Sequence, residues 1–301
     1  IVENRNVERG CKTVKKTLKR ALCTILAGTG MVASLTMFSA CTTNRPQVEI
    51  HISFNGESYT LAYRLYRKLA PSTVQHFIEL AENGYYDGLC VHDYQADSRM
   101  YTGGYTYDAN VSADGGLVEK DYFGTVSGWN LTQTVWRDEE RTQPLNTVYG
   151  EFEANGFEVE SGALRETYGS LTMYYTPKQT SEFVYVQRAD GNGYDAKNYQ
   201  YNSANALFYI SLSTSSTTNT AYCTFGELEE DSESVLDDLK EAIASYVEDE
   251  YDGETADFAP ETEVIVDEND PVEDVSSAKE TQEYAVPREP IIITSVEVVR
   301  Y

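Results

Sequence analysis

The sequence predicts a mainly β chain folded into a closed barrel and capped by two α-helices. Three observations lead there. Apolar and polar residues alternate in two adjacent runs early in the body of the chain. Further β-branched and aromatic runs recur as far as residue 299, and only two stretches keep helical spacing.

In chain order, Val48, Ile50, Ile52 and Phe54 alternate with polar residues. Asn55-Gly56 then leads into Tyr59, Leu61, Tyr63 and Leu65, the pattern of a β-hairpin. Pro71 suits a first helical position, and Val74, Phe77, Ile78 and Ala81 follow at helical spacing before Gly84 stops the run. Strands are expected at residues 169–175, 207–212, 222–225 and 291–299. A second helix is expected at 234–247, where Val235, Leu236, Leu239 and Ile243 share one face behind the cap-type residues Asp231 and Ser232.

Two stretches exceed a compact barrel. Residues 108–149, rich in Gly, Thr and Tyr and holding Trp129 and Trp136, read as an ordered excursion. Residues 248–286, strongly acidic with Pro260 and Pro271, read as a mobile insertion, with a β-hairpin around residues 264–266 left open.

Residues 15–41 carry an export address. Lys15, Lys16, Lys19 and Arg20 precede the uncharged run 21–40, which ends Met37-Phe38-Ser39-Ala40-Cys41. That ending resembles a lipobox, with Phe38 where Leu is usual; Cys41 would take a diacylglycerol and become the first residue after cleavage. The alternative is an uncleaved membrane helix, since the run has the length to span a bilayer, although Gly28, Gly30 and several hydroxyl residues weaken it. Residues 1–13 fit neither a leader nor a domain and suggest an alternative start at Val14. Residues 42–46 would be a tether and 47–301 the domain, placed outside the cytoplasm on the cell membrane, with the lipid as its only membrane contact. A diacylglycerol anchor suffices for stable attachment where one acyl chain is marginal.

Composition excludes some classes. The chain holds 23 Lys and Arg against 49 Asp and Glu, a formal charge of −26, which repels nucleic acid and anionic lipid. Of those, residues 1–40 take seven basic and two acidic residues, so the remainder is more acidic still. Cys90 and Cys223 lie in apolar or β-branched runs, as buried free thiols or as a disulfide. Three separated histidines, without CxxC or HExxH, give no metal site. Asp190 to Asp195 spaces oxygen ligands as calcium loops do, lacks the distal Glu, and reads as a turn-rich loop. No phosphate loop or GxSxG elbow occurs, and no cofactor is implied.

Motifs then fall in one family's order. Ala70-Pro71-Ser72-Thr73-Val74-Gln75-His76-Phe77 and Gly84-Tyr85-Tyr86-Asp87-Gly88 are similar to APxTVxxF and GxYDG of the cyclophilins. Gly150-Glu151-Phe152 with Asn155-Gly156-Phe157, and Gly169-Ser170-Leu171-Thr172-Met173, resemble GEFxxNGF and GxxSM. Tyr201-Asn202-Ser203-Ala204, Phe208-Tyr209-Ile210 and Phe225-Gly226-Glu227-Leu228 resemble YNSA, FFI and FGxV. The resemblance implies an eight-stranded closed barrel with two helices. It also implies a monomeric peptidyl-prolyl cis-trans isomerase acting on proline-containing segments of exported proteins.

Prolyl rotation faces a barrier of ~18–20 kcal/mol. The family lowers it with an apolar proline pocket and an arginine that donates to the imide nitrogen, within FHRxxxxFMxQGG. Here the matching residues are Val91-His92-Asp93 and Arg99-Met100-Tyr101-Thr102-Gly103-Gly104. Asp93 therefore holds the catalytic arginine's position, and a carboxylate only accepts hydrogen bonds. Arg99, six residues on, is the candidate replacement donor; otherwise it is a surface residue paired with Asp93 or Asp97. The resemblance places His92, Met100, Thr102, Leu207, Phe208, Tyr209 and Tyr222 in the substrate pocket, with Thr102, Leu207 and Tyr222 departing from the family's residues. A non-catalytic module that binds proline peptides on the same scaffold is the alternative function.

Overall fold

In the computed structural model, which describes residues 43–111, 113–155, 157, 165–176, 183–188, 192–198, 202–217, 222–266 and 280–301, the first alternating runs pair as β1 (Gln47–Phe54) and β2 (Glu57–Leu65). The turn residues Asn55 and Gly56 take φ of 46° and 82°, the left-handed pair that a tight hairpin requires. The register sets Val48 opposite Tyr63 and Ile50 opposite Leu61. All four are fully buried, so a one-residue slip would expose the whole apolar set. The leader, the lipobox and Cys41 lie outside the described residues.

Helix α1 (Pro71–Glu82) starts at its proline as expected and buries Val74, Phe77, Ile78 and Leu80 on the barrel. Phe77 meets Phe208 and Phe225 with ring centroids 5.4 and 5.1 Å apart. Its N-cap, Ala70, has no side-chain acceptor. The cap arrives from far along the chain: the Glu151 carboxylate accepts from Ser72 N at 3.1 Å and from Thr73 N and Oγ1 at 2.9 and 2.8 Å.

Two short runs follow, each in two parts. β3 (Leu89–Cys90) and β4 (Asp93–Gln95) form one; β5 (Arg99–Thr102) and β6 (Tyr105–Tyr107) form the other, bent at Gly103-Gly104. Gly103 has φ +102°, and a Cβ there would sit 2.2 Å from the Ala206 carbonyl oxygen, so only glycine lets the strands close up. The remaining elements are β7 (Leu117–Glu119), α2 (Tyr122–Val126), β8 (Leu171–Thr176), β9 (Phe183–Gln187), β10 (Tyr194–Asn198), β11 (Asn202–Ser211), β12 (Cys223–Leu228), α3 (Glu230–Tyr251), α4 (Thr255–Phe258), β13 (Glu261–Val266), β14 (Glu280–Ala285) and β15 (Ile292–Arg300).

The main sheet is antiparallel, in the order β4-β5-β11-β8-β12-β2-β1-β15-β3-β6-β7. Its order returns on itself. Residues 89–95 pair through β3 with β15 and through β4 with β5, while Leu89 also faces Thr106 of β6. The bonds Val91 N to Ile291 O at 2.8 Å and His92 N to Tyr101 O at 3.0 Å continue both ladders across the gap. Counting 89–95 and 99–107 as one run each, the expected eight-stranded barrel is closed and has no free edge among these strands.

Helix α3 extends the expected 234–247 at both ends. Acidic residues 230, 231 and 233 suit its N-terminus, and the left-handed Asp252 ends it. The expected insertion boundary at 248 therefore falls inside a helix. The described part of that insertion is ordered: α4 follows, and β13 and β14 form the hairpin that the sequence left open. Val264, Tyr284 and Val286 of this hairpin pack with Cys90, Tyr105 and Leu117. The first excursion is ordered as well. Trp136 bridges Pro144 and Tyr185, and the Glu79 carboxylate of α1 accepts from Thr132 N at 2.9 Å. Cys90 and Cys223 are buried free thiols, not a disulfide.

Because α1 has no cap of its own, Glu151→Ala is expected to cost about 2–3 kcal/mol. The loss should appear as a lower urea midpoint with an unchanged m-value; a change below about 0.5 kcal/mol would remove Glu151 from this role.

Candidate functional site

Strand alternation divides the expected site residues into two sets. In β5, Met100 and Thr102 are fully buried while Arg99 and Tyr101 face outward. Met100 packs into the main core, and Thr102 Oγ1 donates to the Cys90 carbonyl at 2.9 Å. Phe208 belongs to the same core, against Phe77 and Tyr86, and Leu207 is buried. Met100, Thr102 and Phe208, expected to line a substrate pocket, thus point inward, whereas Leu207, though buried, shares the outward face of β11 with Tyr209.

The outward set is a cluster centred on Arg99. Its guanidinium carbon lies 4.5 Å from the centroid of the Tyr209 ring and 6.0 Å from that of Tyr222. It donates from Nε and Nη2 to the two oxygens of Glu166, at 3.0 and 3.3 Å, and from Nη1 to the Tyr101 hydroxyl at 3.2 Å. The Tyr209 hydroxyl donates to Glu166 as well, at 2.9 Å. Burial disfavours the Arg99 charge, but Tyr209, Tyr101 and Glu166 outweigh it and hold the group more firmly protonated than an ordinary arginine. The fork-to-carboxylate geometry fixes the guanidinium plane against the Tyr209 ring. Arg99 thus pairs with neither Asp93 nor Asp97, the surface partners the sequence offered; Asp97 is bonded to Lys240 at 3.0 Å.

Asp93 lies next door and faces a different neighbour. It sits opposite Tyr101 in the β4–β5 ladder. Its Oδ1 accepts from Ala285 N at 3.1 Å and its Oδ2 from the Gln95 amide at 2.9 Å. Burial raises its pKa, and the Ala285 and Gln95 donors only partly reverse the rise. With an N–H pointing at each oxygen, the carboxyl accepts on both sides, the opposite polarity to an arginine. The partner Ala285 belongs to β14, so the acidic insertion packs directly on Asp93.

His92 is buried with its ring 4.9 Å from both Tyr105 and Tyr284, and its Nδ1 is buried without a hydrogen-bond partner among the described residues. Burial lowers its pKa to about 3, so it is a neutral packing residue at pH 7. A cavity of about 680 Å³, bordered by Pro71, Trp136, Tyr149 and Tyr194, includes none of the site residues named from the sequence.

Sequence reasoning missed Glu166, Tyr101 and the Ala285 amide. Glu166 stands in no motif, and only the fold brings it to Arg99 from 67 residues away.

The model of the cyclophilin type peptidyl-prolyl cis-trans isomerase family matches residues 48–266. Among solved structures, a cyclophilin type peptidyl-prolyl cis-trans isomerase of Cryptosporidium parvum aligns at 16% identity and TM-score 0.38, over 85% of this chain and 99% of that one. A structure of that protein in the presence of the dipeptide Ala-Pro aligns at 15% identity with the same score and coverage. The Mimivirus cyclophilin aligns at 14% identity and TM-score 0.36, over 67% of this chain and 80% of that one. No curated protein matches the chain.

Two outcomes test this geometry. Removing the acceptor in Asp93→Ala is expected to speed exchange of the Ala285 amide proton by about tenfold or more, and an unchanged rate would mean the bond holds nothing. The unfolded chain protonates His92 near pH 6.5 and the folded chain only near 3, so stability is present above pH 6.5 and lost as the pH falls towards 3. His92→Phe should flatten that acid limb by up to about 3 kcal/mol in urea titrations between pH 7 and pH 4; a parallel limb would contradict it.

Proposed function

Because the chain belongs to the cyclophilin-type peptidyl-prolyl cis-trans isomerase family, we propose that it isomerises X-Pro bonds slowly in exported proteins, with Arg99 as the hydrogen-bond donor in place of the arginine whose position Asp93 occupies. It works outside the cytoplasm, held to the membrane by lipid on Cys41. The observation that carries this reading is the Arg99 guanidinium stacked on Tyr209 and gripped by Glu166.

The reaction needs a flat apolar surface for the proline ring and a donor near the imide nitrogen when that atom pyramidalises in the twisted transition state. Tyr209 and Tyr222 supply aromatic surface. Arg99 has five N–H groups, three of which go to Glu166 and Tyr101. A proline ring would share the face of Tyr209 with this guanidinium, which would make the enzyme slow. Attachment at the membrane would hold it near chains emerging from export.

A second reading, a module that binds proline segments without turning them over, is favoured by Asp93, whose oxygens both accept. Exchange NMR on an Ala-Pro peptide separates the two. The whole chain is expected to accelerate cis/trans exchange weakly, and Arg99→Ala to reduce the acceleration about 10²-fold. No acceleration at high protein concentration would leave the binding module standing, and acceleration unchanged by Arg99→Ala would exclude Arg99.

A further inference from the structure

At the end of the domain where the chain enters, the charge of the surface reverses. A concave site of about 690 Å³ is lined by Thr43, Asn44, Arg45, Gln47, Arg64, Tyr66, Lys68, Leu69 and Arg300, four cations and no carboxylate. The chain as a whole carries −26. A basic hollow on so acidic a body is a feature that composition hides.

The fold builds it. Gln47 of β1 pairs with Arg64 of β2 on one side and with Arg300 of β15 on the other. Directly opposed residues share a face of the sheet, so the two arginines flank Gln47 about 10 Å apart. Arg45 lies over the Tyr66 ring at 5.4 Å. Glu229 engages Arg64 and Gln47 from the side, and Glu227 holds the Tyr66 hydroxyl; neither lines the hollow. Arg45, Lys68 and Arg300 are exposed and have no ion-pair partner among the described residues. Exposed arginines converging on one concavity suit a phosphate, whose oxygens match the guanidinium fork.

Position then selects the source of the phosphate. The entering segment is fastened down: Thr43 N donates to the Tyr301 carbonyl at 2.7 Å, and Arg67 Nη1 donates to the Thr43 carbonyl at 2.8 Å. Cys41 is two residues upstream, at most about 7 Å of extended chain. A lipid anchored there would hold the headgroup layer against this end of the domain. The exposed Leu69 at the rim adds an apolar contact.

We infer that this hollow binds the phosphate headgroup of an anionic membrane phospholipid and so orients the tethered domain, basic end down. The inference rests on the lipoprotein reading for its choice of lipid over free phosphate, and on the structure alone for the anion site. Attraction of this kind is worth about a factor of five for each basic side chain near an anionic surface, and it weakens with salt.

Soluble phospholipids separate the site from the anchor. The purified whole chain is titrated with dihexanoyl-phosphatidylglycerol below its micelle concentration, and acylation of Lys68 is compared with that of Lys240. Lys68 should be protected about tenfold and Lys240 unaffected, with no protection by dihexanoyl-phosphatidylcholine and with inorganic phosphate acting only at much higher concentration. In the double variant Arg45→Gln, Arg300→Gln the apparent affinity should fall about 30-fold. Equal protection by both lipids, or protection unchanged in the double variant, overturns the site. Inorganic phosphate acting as well as the lipid, or a Glu-rich peptide protecting Lys68 when lipids do not, overturns the lipid assignment. Mass analysis of the Cys41 peptide tests the anchor independently: an unmodified Cys41 removes the anchor without altering the soluble-lipid result.

Discussion

Residues 89–95 hydrogen-bond along both edges, to β15 on one side and to β5 and β6 on the other, and every other part of the molecule depends on that double pairing. Without it the sheet would end in two open edges, and α1 and α3 would cover an unfinished core. The same short run carries Cys90, His92 and Asp93. Its inward residues support the closure, while Asp93 reaches the inserted hairpin from the same backbone. A substitution here acts on the barrel and on the site together, which makes the chemistry of Asp93 inseparable from its structural duty.

Around Asp93 and Arg99 the packing follows charge. An arginine at position 93 would need acceptors; the present residue needs donors and finds them in Gln95 and in Ala285 of β14. That choice of polarity and the docking of the insertion are one event, because the amide of Ala285 would otherwise meet a cation. Across Tyr101, the positive charge reappears at Arg99, where the nearly buried Glu166 holds it over Tyr209. A part-buried pair of this kind fixes geometry more than it adds stability. It fixes the guanidinium over the Tyr209 ring, with Tyr222 beside it.

Much of this was legible in the residues. Alternation and an Asn-Gly turn marked β1 and β2, Pro71 marked the start of α1, and the ordered motifs marked the barrel, since local patterns record burial on one face. The pocket was less legible. Met100, Thr102 and Phe208 stand where the resemblance put the pocket but point inward, because side-chain direction in a strand follows register, and register is set by partners elsewhere in the chain. Glu166 and Ala285 carry no local signal at all. Acidic composition likewise suggested mobility for residues 248–286, whereas apolar residues at three positions, Val264, Tyr284 and Val286, are enough to dock a hairpin.

By itself the sequence determined the class of fold and the two long helices with their apolar faces. Each is a property of neighbouring residues and of their periodic exposure. Tertiary structure alone decided that the barrel closes through residues 89–95, that Arg99 answers to Glu166, that Asp93 answers to Ala285, and that a few cations gather at the point where the chain enters. Those are contacts between residues tens to hundreds of positions apart, and only the packed chain brings them within hydrogen-bonding distance.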